Sequence, residues 1–197
     1  MPARGGTVVV TNPVDVLTRL CAAVSGARVY GVGSGLDTAR YRAVLATAYD
    51  VPAERVAGDV IGEHGDAAVC CLSSTRIDDK PVSPHDPRTR AAMTAFRTRP
   101  TTIRAGMGRI RAGAAGAVLS ALRAVAGGVD ATVQLSTSYG ADRAWLGQPV
   151  MFTAGQATVR LPPLTETEQS LLDASNDKLI RIYQSITNDS EETRSCP

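Results

Sequence analysis

The sequence predicts a globular protein of the α+β class, and three observations support this. Residues 7–11 form a run of mainly β-branched residues that is typical of a buried strand. Residues 130–138 alternate apolar and polar side chains, as in a strand with one buried face. From Thr165 onward, apolar residues recur at helical spacing. With 197 residues, 44% of them apolar and 20% charged, the chain suits one domain or one and a half.

The remaining elements follow from apolar spacing and from the residues that end helices and strands. In the first half of the chain we expect strand 7–11, helix 14–24, strand 28–32, a loop over 33–35, helix 37–49, and strands 55–61 and 67–72. In the second half we expect a loop over 76–90, helix 87–96, a break at Pro100, helix 101–126, strand 130–138, a hairpin of 150–153 with 157–161, and a helix from residue 165. Thr165 and Glu168 have the spacing of a capping box at the start of that last helix.

Composition and charge argue against several classes of function. A net charge of +2 and 4% aromatic residues do not favour nucleic-acid binding. The apolar runs are too short to span a bilayer, and we see no secretory signal, so we expect no membrane partner. The cysteines lack C-x-x-C spacing and the two histidines are far apart. This pattern argues against a metal site and favours a reduced, cytoplasmic protein.

Three short segments carry residue types suited to acid–base chemistry. Gly62-Glu63-His64-Gly65-Asp66 places a histidine, which exchanges protons near neutral pH, between glycines that let the backbone approach a ligand. Asp37 and Arg40 are three apart on a predicted helix, so they share a face, and the arginine fork suits a carboxylate. The third segment is Thr11-Asn12-Pro13-Val14-Asp15. Taken singly, the first segment also fits a surface turn, and the second fits a solvated ion pair.

Together these segments resemble the lactate/malate dehydrogenase family. The matched stretches are residues 11–15, 34–42 and 60–66, and Leu146-Gly147-Gln148-Pro149-Val150 resembles the family's LG-x-P before its last hairpin. The terminal helix resembles the family's last helix, so the resemblance covers nearly the whole chain. It implies the family's C-terminal fold: a mixed, mainly antiparallel twisted sheet with packed helices, preceded by one strand and helix of a Rossmann sheet.

The resemblance also implies a role for each site residue. Arg40 would grip the substrate carboxylate, and His64 would exchange a proton with the C2 oxygen of a small 2-oxo or 2-hydroxy acid. Asp37 would hold the imidazole and raise its pKa. Asn12 resembles the residue that hydrogen-bonds the reacting oxygen, and it would also contact NAD if NAD is used. Arg111 is a possible additional anion contact, the alternative being a solvated helix arginine.

The chain departs from the family at its beginning. Only six residues precede the first strand, the cluster Gly31-x-Gly33-x-Gly35 has the wrong spacing for a phosphate turn, and no acidic residue stands where the ribose would bind. The loop that separates lactate from malate is also missing. We therefore expect residues 1–32 to be a remnant of a dinucleotide-binding domain, 33–187 a substrate/catalytic domain and 188–197 a flexible tail. No cofactor is self-evident, and we expect NAD only with a partner or a missing half.

Three functions remain open. The first is a repurposed enzyme that uses a carboxylate grip and a proton but no hydride, for dehydration, isomerisation or cyclisation of a small acid. The second is the substrate half of an NAD-dependent dehydrogenase that needs a separate nucleotide-binding half. The third is a non-catalytic assembly or binding protein. Because strand 7–11 would leave a sheet edge uncovered, we also expect a homo-oligomer or a complementing nucleotide-binding chain.

Overall fold

The computed structural model describes residues 6–107, 112–141 and 143–194, without the side chains of 99–107, 112 and 189–194. The described helices are α1 (Val14–Ser25), α2 (Ser34–Tyr49), α3 (Pro87–Met107), α4 (Ala112–Val125) and α5 (Glu166–Arg194). The described strands are β1 (Thr7–Val9), β2 (Val29–Gly31), β3 (Val56–Ala57), β4 (Val60–Gly62), β5 (Ala68–Cys70), β6 (Arg76–Ile77), β7 (Lys80–Pro81), β8 (Ala131–Ser138), β9 (Trp145–Thr153) and β10 (Gln156–Val159).

Most strands join one large sheet. Its order is β1-β2-β8-β9-β4-β5, with β10 pairing the second half of β9, and β3-β6-β7 form a smaller sheet. β1 and β2 are parallel, whereas the other pairs are antiparallel. This confirms the predicted mixed, mainly antiparallel sheet. The N-terminal strand–helix–strand unit is continuous with it, since Gly31 of β2 pairs with Ser136 of β8.

The helices bury the faces of the large sheet in separate apolar clusters. α2 and α3 share one cluster around Tyr41 and Leu45, which are fully buried. α5 packs through Leu172 against β4 and β5, and α4 covers β8 and β9. Because α2 and α5 both pack against β4, the segment that follows β4 lies between these two helices. None of the described helices is long and apolar enough to cross a membrane.

Glycine-rich and loop regions contain more regular structure than predicted. Residues 33–35 were expected to be a loop, but α2 begins at Ser34. The expected strand 55–61 is divided into β3 and β4, because the chain passes from the small sheet to the large one at Gly58 and Asp59. The expected loop 76–90 contains the hairpin of β6 and β7.

Three other boundaries also differ. The break expected at Pro100 is absent, since α3 continues to Met107; a proline removes one helical hydrogen bond and can bend a helix without ending it. The strand predicted for 150–153 begins earlier, at Trp145. The tail expected to be flexible from residue 188 is helical to Arg194, in a stretch that holds glutamates and no proline or glycine.

Candidate active site

A hydrogen bond joins α2 and β4 next to the predicted site residues. The Thr38 hydroxyl of α2 accepts a hydrogen bond from the Val60 backbone N–H of β4 at 3.0 Å. β4 ends at Gly62, whose φ of +84° is a conformation that residues with a side chain rarely adopt. The chain therefore turns sharply after β4, and His64 lies against the first turns of α2.

Asp37 is the centre of a three-residue contact. Its Oδ2 lies 2.6 Å from His64 Nδ1, and its Oδ1 accepts a hydrogen bond from Arg40 Nη1 at 3.2 Å. All three side chains are largely buried, with 10%, 17% and 11% of the side chain exposed for Asp37, His64 and Arg40. We call this set the Asp37–Arg40–His64 triad. Spacing predicted that Asp37 and Arg40 share a helix face, and the family resemblance implied that Asp37 holds His64; the structure brings all three together.

The environment of His64 favours its charged form. Burial alone lowers the pKa of the imidazole, but the hydrogen bond and charge of Asp37, helped by the charge of Asp15, outweigh burial. The net result is a pKa above the ordinary value of 6.5. With Nδ1 bonded to Asp37, Nε2 is the ring nitrogen left to exchange a proton with a ligand.

Arg40 keeps hydrogen-bond donors free in a buried position. Its Nε is buried without a partner, and Nη1 makes its bond to Asp37. A guanidinium has five N–H donors, and an unsatisfied buried donor is costly. Among the described residues nothing uses the rest of the fork, which is what a site for a substrate carboxylate requires.

A cavity of about 610 Å³ lies beside the triad. Asp37, Arg40 and His64 line it, and so does the predicted residue Asn12. Arg111, the remaining predicted contact, lies outside the described residues, so its role stays a prediction. Gly65 and Asp66, from the segment 62–66 that the sequence singled out, also line it. The lining residues that sequence reasoning missed are Ala68, Cys70, Leu72, Met93, Phe96, Arg97 and Leu171.

The segment that carries His64 is held from several sides by residues not predicted to act there. Asp15 Oδ2 accepts the His64 backbone N–H at 2.8 Å, and Ser175 Oγ of α5 accepts the Glu63 N–H at 2.7 Å. Lys178 of α5 donates to Glu63 Oε2 at 2.6 Å. Of these residues, only Asp15 lies in a segment that the sequence analysis had selected, residues 11–15. The contacts of Ser175 and Lys178 depend on how α5 packs in the folded protein, which the sequence does not show.

Asp15 is itself an unusual carboxyl group. Burial raises its pKa from 3.8 to about 6, although the hydrogen bond that Asp15 accepts from the His64 backbone N–H acts to lower it. Its Oδ1 has no hydrogen-bond partner among the described residues. Asp15 thus supports the backbone of His64 and also adds negative charge near the imidazole when it is ionised.

The described residues fit only one end of NAD. Asn12 lines the same cavity as His64, which suits the nicotinamide end. The glycine cluster does not fit a pyrophosphate. A Cβ at Gly33 would lie 2.5 Å from His64 Cγ, and one at Gly31 would lie 2.3 Å from Thr18 Oγ1. These glycines allow close packing of the protein on itself, and no group of metal-ligating side chains is found among the described residues.

The described residues form an α/β domain with a buried arginine and an aspartate-supported histidine on the wall of one cavity. A sequence profile described as lactate/malate dehydrogenase, alpha/beta C-terminal domain, matches residues 34–189. The chain therefore belongs to the lactate/malate dehydrogenase family, as the resemblance predicted.

Individual relatives agree with this assignment. A malate dehydrogenase of Halobacterium salinarum is 33% identical over 190 residues, which is 91% of this chain and 62% of that protein. An L-lactate dehydrogenase of Lactococcus lactis is 44% identical over 78 residues, 38% of this chain and 25% of that protein. The chain therefore spans less than two thirds of the length of these relatives.

Solved structures agree on the fold. The minor L-lactate dehydrogenase of Enterococcus mundtii superposes with a TM-score of 0.82 at 25% identity, covering 91% of this chain and 62% of that one. The malate dehydrogenase of Cryptosporidium parvum gives a TM-score of 0.80 at 23% identity, covering 92% and 63%. At such low identity the second likeness concerns the fold alone.

Proposed function

We propose that this chain binds a small 2-hydroxy or 2-oxo carboxylic acid and exchanges a proton with its C2 oxygen. The observation that supports the proposal is the triad, in which one buried carboxylate contacts both a guanidinium and an imidazole on the wall of one cavity. A grip for a carboxylate and a proton donor in one place suit an acid whose second carbon carries an oxygen.

Each residue has a distinct part in this proposal. Arg40 donates hydrogen bonds from its unused N–H groups to the substrate carboxylate, which fixes the first carbon of the acid. His64 gives the proton of Nε2 to a 2-oxo oxygen, or removes the proton of a 2-hydroxyl in the reverse direction. Asp37 stabilises the imidazolium and fixes the ring through Nδ1. Asn12, on the same cavity wall, offers an amide to the reacting oxygen.

Two reactions share this machinery. In the first, the chain uses only the proton and the carboxylate grip, for dehydration, isomerisation or cyclisation. In the second, it is the substrate half of a dehydrogenase that needs a separate nucleotide-binding half; NAD held there would supply or accept the hydride at C2. The names of the relatives, L-lactate dehydrogenase and malate dehydrogenase, favour the second reaction.

The carboxylate grip is tested by titrating the purified chain with oxamate, an unreactive analogue of a 2-oxo acid. Arg40→Met should weaken binding at least about thirtyfold, because it removes one member of a buried, hydrogen-bonded charge pair. Arg40→Lys should fall between Arg40→Met and wild type, since it keeps the charge and loses the fork. Arg123→Met, at an exposed position on α4, is the matched control and should bind as wild type does.

A turnover assay separates the two reactions. NADH oxidation by the purified chain with pyruvate or oxaloacetate would refute the proton-only reaction. If NADH oxidation requires an added nucleotide-binding chain, the substrate-half assignment is supported. Oxamate affinity that is unchanged in Arg40→Met would overturn both reactions.

A further inference from the structure

We propose that the cavity beside the triad holds an apolar side chain of the substrate, so that the preferred ligands are 2-hydroxy or 2-oxo monocarboxylic acids with a larger aliphatic or aromatic side chain. The inference rests on the proposed function, because Arg40 and His64 fix the first two carbons of the acid. The remainder of the acid must then lie along the rest of the cavity wall.

Away from the triad this wall is mainly apolar. It is formed by β5 and the turn after it, by α3 and by α5, through Ala68, Cys70, Leu72, Met93, Phe96 and Leu171. The first five of these are only partly buried, and Leu171 is 54% exposed. Six apolar side chains that share an open surface next to a carboxylate grip are most simply explained by an apolar group that covers them on binding.

Cys70 behaves as part of this apolar wall. Burial raises the pKa of its thiol to about 12, so the group stays neutral at physiological pH. The charges of Arg97 and Asp37 both act on the thiol, in opposite directions. Cys70 therefore lines the same cavity as the triad and lies within electrostatic reach of Asp37.

The apolar wall packs against the hydrophobic core around Tyr41, so its shape is largely set before a ligand binds. The Phe96 ring meets the Tyr41 ring edge to face at 6.0 Å, and Tyr41 is fully buried with its hydroxyl bonded to Thr75. Met93 and Leu72 pack against the same core. A preformed surface of this kind lowers the entropy cost of ordering a ligand, and the flexible Met93 side chain can adjust to its outline.

Cavity size and the position of charge support an apolar chain. The volume of about 610 Å³ is typical of sites that bury ligands well above three carbons. A lactate-sized acid has a single methyl group beyond its second carbon and would leave most of the apolar wall uncovered. Arg97, a cation that lines the same cavity, is exposed to solvent, so screening weakens its attraction for a second acid group.

The test is a ligand series titrated into the wild-type chain. Dissociation constants are measured for pyruvate, 2-oxobutanoate, 2-oxopentanoate and 2-oxohexanoate, with 2-oxoglutarate as the dicarboxylate. Affinity should rise about fourfold for each added methylene group, hence about sixtyfold across the series. In Met93→Gln the gain in affinity across the series should be several-fold smaller. In Ala95→Gln, at an exposed position of the same helix, the gain should equal that of wild type.

The outcomes separate this inference from the proposed function. Equal affinity along the series, still dependent on Arg40, overturns the apolar site and leaves the carboxylate grip intact. A preference for 2-oxoglutarate that disappears in Arg97→Met also overturns it, in favour of an acidic side chain. Absence of binding for every acid overturns the proposed function and this inference with it.

Discussion

At the scale of single residues, Asp37 uses its two oxygens on two different partners. One oxygen lies against the imidazole of His64 and the other against the guanidinium of Arg40, all in a largely buried setting. Burial would drive His64 toward its neutral form, and Asp37 is the main group that opposes this. The raised pKa of His64 therefore depends mainly on this neighbouring carboxylate, with a smaller contribution from Asp15.

Asp37→Asn should accordingly lower the pKa of His64, since burial is then opposed only weakly. The folded protein holds this proton more tightly than the unfolded chain, so His64 contributes stability below pH 6.5 that is lost as pH rises through its folded pKa. The variant should lose less stability than wild type over that rise. NMR titration of the imidazole and unfolding at a series of pH values measure both effects.

Asp79→Asn is the matched control for this substitution. Asp79 is exposed and has a φ of +61°, which asparagine tolerates, so the exchange should leave the His64 titration as in wild type. If the pKa of His64 is the same in Asp37→Asn as in wild type, Asp37 does not set the charge of the imidazole.

At the scale of elements, α5 holds the segment that carries His64. Ser175 is fully buried, and its hydroxyl accepts the Glu63 N–H, while Lys178 one turn later reaches the Glu63 carboxylate. α5 begins with the predicted capping box, in which Thr165 accepts the Glu168 N–H and Glu168 accepts the Thr165 N–H. α5 therefore has a capped N-terminus, and its later residues Ser175 and Lys178 hold the segment that carries His64.

Ser175→Ala should destabilise the protein by about 1–3 kcal/mol, because it leaves the Glu63 N–H without a partner in a partly buried position. Ser170→Ala is the control on the same helix, where an exposed hydroxyl bonds the Glu166 carbonyl, and it should change stability by less than about 0.5 kcal/mol. Denaturant unfolding gives both values. Equal effects of the two substitutions would argue against a special role for Ser175.

The sequence predicted most elements and the shared helix face of Asp37 and Arg40 because these depend on local spacing, whereas the contact of Asp37 with His64 was implied by the family resemblance. Asp37 and Arg40 are one helical turn apart, and His64 lies between glycines, so both segments were visible without a structure. The residues of α3 and α5 that line the cavity could not be predicted, since their orientation is set by packing against Tyr41 and β5. Gly33 was interpreted as part of a loop, whereas its missing side chain makes room for His64.

At the scale of the whole molecule, β1 forms an edge of the large sheet that no other described strand covers. Among the described strands β1 pairs only with β2, and Val10 at its end is 58% exposed. An unpaired edge next to apolar surface favours association with another chain. We therefore expect a homodimer or larger assembly, with a complementing nucleotide-binding chain as the alternative occupant of this edge.

Sedimentation of the purified chain at micromolar concentration measures this directly. We expect a dimer or larger species that Val10→Lys shifts toward monomer, because a charge is placed at the edge. Val24→Lys, at a position of α1 that is 89% exposed, is the control and should sediment as wild type. A wild-type monomer would contradict the expected self-association.

A crystal structure with oxamate bound is the most direct test of the acid-binding site. We predict that the oxamate carboxylate lies on the Arg40 guanidinium in a two-pronged contact and that its carbonyl oxygen lies within hydrogen-bond reach of His64 Nε2. Oxamate bound elsewhere, or bound with its carboxylate away from Arg40, would contradict the account.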